Sequence, residues 1–186
     1  MKIKKIIILS IFFCSYAFCE NYFSEFRFED RSGKNNHDDS EIYGVSIGKY
    51  VSSNIELDIF TREKYPHTGN NNTRVELGVK YKLPLSNSLT YFSRIAAGKK
   101  YLADNNYSYW NFENGFKLNI YNALDGIVSL RYRDSFNKDK WQEFDRTYKL
   151  GLIYKLTNSY FLSTTYNHAR GESAFDSVGL NFKINF

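Results

Sequence analysis

The sequence predicts an all-β fold, a closed antiparallel up-and-down transmembrane β-barrel of ten strands, with eight or twelve as the even-numbered alternatives. Three observations predict it. Apolar and polar residues alternate with a strict period of two, the alternating segments have the length of tilted membrane strands, and aromatic residues gather at both ends of the apolar faces. Composition alone points elsewhere. Mean hydropathy is -0.50 over 186 residues, with 24% charged and 42% hydrophobic residues, which excludes a bundle of membrane helices. Aromatics reach 18% with only 2 Pro, which excludes a disordered chain.

The first nineteen residues read as a secretory signal peptide. Lys2, Lys4 and Lys5 precede the apolar run Ile6 to Phe18, and Ala17-Phe18-Cys19 offers a cleavage site before Glu20. The run is too short to span a bilayer as a helix. Residues 20–186 are then the barrel. Cys14 and Cys19 both fall in the leader, so the exported chain is expected to lack disulfides. Net charge falls from +5 to +2 with the three leader lysines, and no basic block suited to nucleic acid is present.

Ten segments follow in order. The first three are Tyr22 to Arg31, Glu41 to Val51 and Ile55 to Glu63. The fourth sets Val75, Leu77, Val79, Tyr81 and Leu83 against Arg74, Glu76, Gly78, Lys80 and Lys82. Leu89 to Tyr101 is the fifth. The sixth sets Trp110, Phe112, Phe116, Leu118 and Ile120 against Asn111, Glu113, Gly115, Lys117 and Asn119. Gly126 to Asp134, Tyr148 to Leu156 and Tyr160 to His168 come next. The last alternates Val178, Leu180, Phe182, Ile184 and Phe186 with Ser177, Gly179, Asn181, Lys183 and Asn185. This parity puts Phe60 and Phe92 on the polar face, and Ser93 and Thr164 on the apolar one.

Connectors alternate in length. Val51 to Asn54, Pro84 to Ser88, Tyr121 to Asp125 and Thr157 to Ser159 are short turns; Ser32 to Ser40, Lys64 to Asn72, Ala103 to Ser108, Ser135 to Phe144 and Ala169 to Ala174 are mostly longer and more polar. Both chain ends therefore lie on the short-turn side. A soluble β-sandwich would also alternate, but its strands are typically about five or six residues long, against roughly 9–11 for a membrane strand. Tyr81, Tyr91, Tyr121, Tyr154, Tyr160 and Phe186 mark one interface, and Tyr43, Trp110, Tyr132, Tyr148 and Tyr166 the other. Lipid offers no hydrogen bonds to a free strand edge, so such a sheet must close.

The final strand, Val178 to Phe186, resembles the C-terminal signature of bacterial outer-membrane proteins. The resemblance implies that Phe186 carries recognition by the barrel assembly machinery, and that outer-membrane lipid surrounds the chain.

The polar parity then lines the lumen. Thirteen bases fall there: Arg27, Arg62, Arg74, Lys80, Lys82, Arg94, Lys100, Lys117, Arg131, Arg133, Lys149, Lys155 and Lys183. Six acids accompany them, namely Glu25, Glu29, Glu56, Asp58, Glu76 and Glu113. The compensating acids are expected in the loops, at Asp38, Asp39, Glu41, Asp104, Asp139 and Asp145. Arg94, Lys117, Arg131, Arg133, Lys149 and Lys155 are expected to face Glu56, Asp58 and Glu76 across a narrow pore that prefers small anionic solutes. Inward glycines (Gly44, Gly48, Gly78, Gly98, Gly115, Gly151, Gly179) favour open space, whereas opposed charges favour a plug. No cofactor is expected.

Leu130-Arg131-Tyr132-Arg133, followed after a polar loop by Tyr148-Lys149-Leu150-Gly151-Leu152-Ile153-Tyr154-Lys155-Leu156, resembles the small oligogalacturonate-specific (KdgM-like) porin family. The resemblance implies a narrow monomeric barrel with a basic track, to which Arg131 and Arg133 contribute. That family has twelve strands against the ten counted here, and the final strands differ. Two other readings remain. One is a non-conducting surface protein whose loops bind ligands or host components. The other is an omptin-like protease, for which His37, Asp38, Asp39, His67 and His168 are the candidates; no omptin-type Asp-x-Asp or Asp-x-His pair occurs.

Overall fold

The computed structural model describes residues 21–33, 39–103, 105–137, 144–171 and 174–186. The leader with Cys14 and Cys19, and His37, Asp38, Asp104 and Asp139, lie outside the described residues. Ten strands run in chain order: β1 (Tyr22–Gly33), β2 (Ser40–Tyr50), β3 (Ile55–Pro66), β4 (Asn72–Pro84), β5 (Leu89–Tyr101), β6 (Asn106–Tyr121), β7 (Leu124–Ser135), β8 (Asp145–Lys155), β9 (Tyr160–Gly171) and β10 (Phe175–Asn185). Each pairs antiparallel with its chain neighbours, and β1 pairs with β10, so the sheet closes without an edge.

Short connections close by paired backbone bonds to one carbonyl, for example Leu85 N and Ser86 N to Leu89 O at 2.9 and 3.1 Å, and Leu156 N and Thr157 N to Tyr160 O at 2.9 and 3.3 Å. The chain ends meet on this side, where Asn21 N donates to Phe186 O and Phe186 N donates to Tyr22 O. The strands are tilted. A hydrogen-bonded row that starts at Phe23, at the short-turn end of β1, passes through Gly48, Asp58, Gly78, Ala96, Asn111 and Arg133. It reaches Asp145 and Gly171 at the long-loop end of β8 and β9. Side chains from different strands are thereby brought to one height in the lumen.

The period of two sorts the residues into two environments. Ile59, Leu77, Ile95, Leu150 and Val178 are each more than half exposed, and they belong to a continuous apolar belt around the outside. An apolar surface of this extent is untenable in water and is what a bilayer covers. The polar parity points inward and is mostly buried, with Glu56, Asp58, Arg62, Arg74, Glu76, Glu113 and Arg133 among the buried charges. Phe60 and Phe92 are buried inside the barrel, as parity requires, while Ser93 and Thr164 take positions on the lipid side. Placing arginine at Leu77, which is 63% exposed in the belt, is expected to destabilise the barrel by about 2–4 kcal/mol in urea unfolding from lipid vesicles.

Several strands outrun their sequence patterns. β6 extends to 16 residues, and β8 begins at Asp145 rather than Tyr148. The acid assigned to a loop at Asp145 is therefore a strand residue, only 1% exposed inside the barrel.

Candidate functional site in the lumen

The inward side chains form three tiers. At the short-turn end, aromatic rings hold lysines. Lys183 Nζ lies 3.9 Å from the Phe23 ring centre, Lys80 Nζ lies 4.5 Å from that of Phe92, and Lys82 Nζ lies 5.3 Å from that of Tyr50. Lys82 also pairs with Glu56. Lys117 pairs with Asp125 at 3.0 Å. Lys155 is exposed at the last position of β8.

The middle tier is built around Arg94. From β5 its Nε and Nη2 donate to the Asp58 carboxylate on β3 at 3.1 and 2.7 Å. Its Nη1 reaches Glu76 Oε2 on β4 at 3.3 Å and Asn111 Oδ1 on β6 at 3.4 Å. Asn111 Nδ2 and the Tyr109 hydroxyl complete the shell by donating to Glu76 at 2.9 and 2.8 Å. A second cluster joins Lys149 Nζ and the Ser129 hydroxyl to Glu113 Oε1, at 2.9 and 2.6 Å. Arg27 pairs with Glu25 at 2.8 Å.

Glycines make this packing possible. A Cβ on Gly78 would stand 2.6 Å from Asp58 Oδ1 and 2.7 Å from Arg94 Cζ. On Gly44 it would meet the Phe60 ring at 2.7 Å, on Gly98 the Tyr109 ring at 2.8 Å, and on Gly115 the Phe92 ring at 2.6 Å. Each is a place where a neighbour's side chain lies flat on bare backbone. At Gly44, Gly78, Gly98 and Gly115, then, large side chains fill the space that the absent side chain leaves.

Toward the long loops lies a tier of arginines. Arg62 and Arg74 are direct cross-strand partners, and Arg74 is also directly opposite Lys100. Arg31 and Arg133 belong to the same tier, both buried. Tyr109, fully buried, presents its ring to both Arg74 and Arg133, and Arg31 stacks 3.7 Å above the Phe175 ring. Among the described residues, Glu29 accepts from Arg31 at 2.6 Å and Asp145 pairs with Arg133. Arg131 Nη2 donates to Thr147 at 3.2 Å, while its buried Nε has no acceptor among the described residues. Arg62, only 7% exposed, makes no hydrogen bond or ion pair with a described residue. Like charges directly opposite on adjacent strands are destabilising, so an anion beside Arg62 would relieve its repulsion with Arg74.

The opposite wall is different. Among the inward positions of β8 to β10, Gly151, Ser163, Thr165, Gly179 and Asn181 are small or uncharged and lie between the charged Lys149 and Lys183. Arg27, beside them on β1, keeps 38% of its side chain exposed. Solvent thus reaches Arg27, whereas the arginines of the tier above are mostly buried.

The nine pore-lining residues expected from sequence separate accordingly. Arg94, Glu56, Asp58, Glu76 and Lys149 are joined in ion pairs with near neighbours, rather than opposed across an empty lumen. Arg131 and Arg133 belong to the arginine tier, and Lys117 and Lys155 to the short-turn mouth. Sequence reading missed Arg31, Tyr109, Asp125 and Asp145. The first two could have been found by carrying strand parity one or two residues further.

Among the described residues no cluster of three metal-ligating groups occurs. His168 does meet an acid, with Nδ1 2.7 Å from Asp176 on β10, but its Nε2 accepts from Arg170 at 3.1 Å. Both ring nitrogens are thus occupied, and neither faces a nucleophile. His67 donates its backbone N–H to Asp39 O.

Neither a protein-family model nor a curated protein matches this chain. Solved structures do. The β domain of the Bordetella autotransporter BrkA superposes with a TM-score of 0.61 at 12% identity, covering 89% of this chain and 99% of that one. An outer membrane channel from Pseudomonas putida F1 gives 0.58 at 7% identity, covering 91% and 97%. The KdgM porin, in a complex with disordered oligogalacturonate, gives 0.52 at 12% identity, covering 88% and 99%. At these identities the likeness is one of fold: the chain has the closed barrel of outer-membrane proteins.

Proposed function

We propose that this chain is a narrow channel of the bacterial outer membrane that prefers small anionic solutes, and that it acts without catalysis. The observation that carries this reading is the arginine tier. A buried Arg62 beside Arg74, with no ion pair among the described residues, and an Arg131 Nε without an acceptor among them favour an anion in this tier. The half-exposed Arg27 and the small residues of β8 to β10 provide the water-accessible approach below it. Passage requires arginine side chains in the tier to change rotamer, so conductance should be small. Phe186 and the alternating residues before it would serve recognition by the barrel assembly machinery, after export through a cleaved leader. The solute is not assigned beyond its charge.

A second reading is favoured by the dense packing of the same tier, where Arg133 and Asp145 are almost wholly buried. In it the lumen is a permanent plug and the long loops carry the function. Single-channel recording of the refolded protein in planar bilayers separates the two. Small discrete openings are expected, and Arg27→Gln with Arg131→Gln should lower anion preference at least twofold. Folded protein without openings would leave the plugged surface barrel.

A further inference from the structure

We propose that the outside of β7 to β9 holds one phosphate-bearing lipid, its acyl chain in a groove of the belt and its phosphate between Arg146 and Arg170. The site lies on the lipid face and does not depend on conduction through the lumen.

The cross-strand pairs of β8 and β9 on this face, taken from the long-loop end inward, are Arg146 with Arg170, Tyr148 with His168, Leu150 with Tyr166, and Leu152 with Thr164. Charge, then aromatic rings, then apolar surface is the polarity profile of a lipid read from headgroup to chain. The lower pairs help line a groove of about 540 Å³, whose walls include Leu118, Val128 and Val178. It is an open depression, formed where Gly126 and Thr164 supply little or no side chain while neighbouring strands carry leucine.

The top of the ladder asks for an anion. Arg146 and Arg170 are exposed and directly opposite, and neither forms an ion pair with a described residue. Arg146 instead stacks near the rings of Tyr132 and Phe144, 5.4 and 5.9 Å from their centres. Arg170 donates to His168. The nearby carboxylate of Asp176 is already occupied by Tyr166 and His168, at 2.9 and 2.7 Å. Two guanidiniums on neighbouring strands can each donate to a different phosphate oxygen, which removes the repulsion between them. A free phosphate would satisfy the arginines but leave the groove empty; a lipid satisfies both.

Native mass spectrometry of the refolded protein in detergent tests this, with diphosphorylated lipid A, its dephosphorylated form and inorganic phosphate as probes. One lipid A per chain is expected to survive desolvation. Arg146→Gln with Arg170→Gln should weaken it at least tenfold, as should removal of the lipid's phosphates, and Thr164→Trp should weaken it by filling the groove. Heat-shifted electrophoretic mobility reports that each variant is folded. Binding by the double arginine variant within twofold of wild type would overturn the site. So would inorganic phosphate binding as tightly as lipid A and indifferently to Thr164→Trp, since that would make it a free-anion site.

Discussion

Replacing Arg94 by methionine should destabilise the barrel by about 3–5 kcal/mol, the range for breaking a buried ion pair from one side. The size follows from what is left behind. The guanidinium holds both oxygens of Asp58 and one of Glu76, and all three side chains are at most 15% exposed. Without it two carboxylates remain together in the lumen with only Asn111 and Tyr109 donating to one of them. Reversible urea unfolding from phospholipid vesicles, followed by fluorescence of Trp110 and Trp141, measures the loss. Asp58→Asn in the Arg94→Met background should recover part of it, because one stranded charge is gone. A loss below about 1 kcal/mol would mean that water already screens the cluster, as it does at exposed pairs.

The second large effect is expected at Gly78. Leucine there would drive its Cβ into the space shared by Asp58 Oδ1 and Arg94 Cζ, with the remaining carbons projecting further into the lumen. Overpacking typically costs about 1–3 kcal/mol, and here it also separates the central ion pair. The variant should fold in lower yield and unfold at lower urea than wild type. Gly126→Ala is the control, because a Cβ there faces lipid and meets only the flexible end of Ile120 at 3.1 Å. Equal stability of the Gly78 variant and wild type would contradict the role of inward glycines as seats for side chains.

Strand number, the order of turns and the face of nearly every residue were legible in the sequence, because the period of two is imposed directly by burial on a pleated strand. Phe60 and Phe92 illustrate its strength: they break the polar pattern yet remain inside, over Gly44 and Gly115 respectively. What was not legible depends on stagger. Parity tells that Arg94, Asp58 and Glu76 share a lumen, but only the tilt of the strands brings β5 over β4 to reach β3. The same applies to His168 and Asp176, which meet because β9 and β10 are in register. Strand ends were the other weak point. Asp145 and Tyr109 sit where polar loop sequence and strand merge, and both proved to be buried parts of the arginine tier. Mean hydropathy of -0.50 conceals all of this by averaging the two faces.

In the channel reading, the arginine tier selects anions as they cross the lumen. Reversal potential of single channels in a KCl gradient tests it most directly. A potential of the sign set by chloride permeation, reduced in the Arg27→Gln and Arg131→Gln variant, is the result predicted. A potential of the sign set by potassium, or no current through protein shown to be folded, would contradict it.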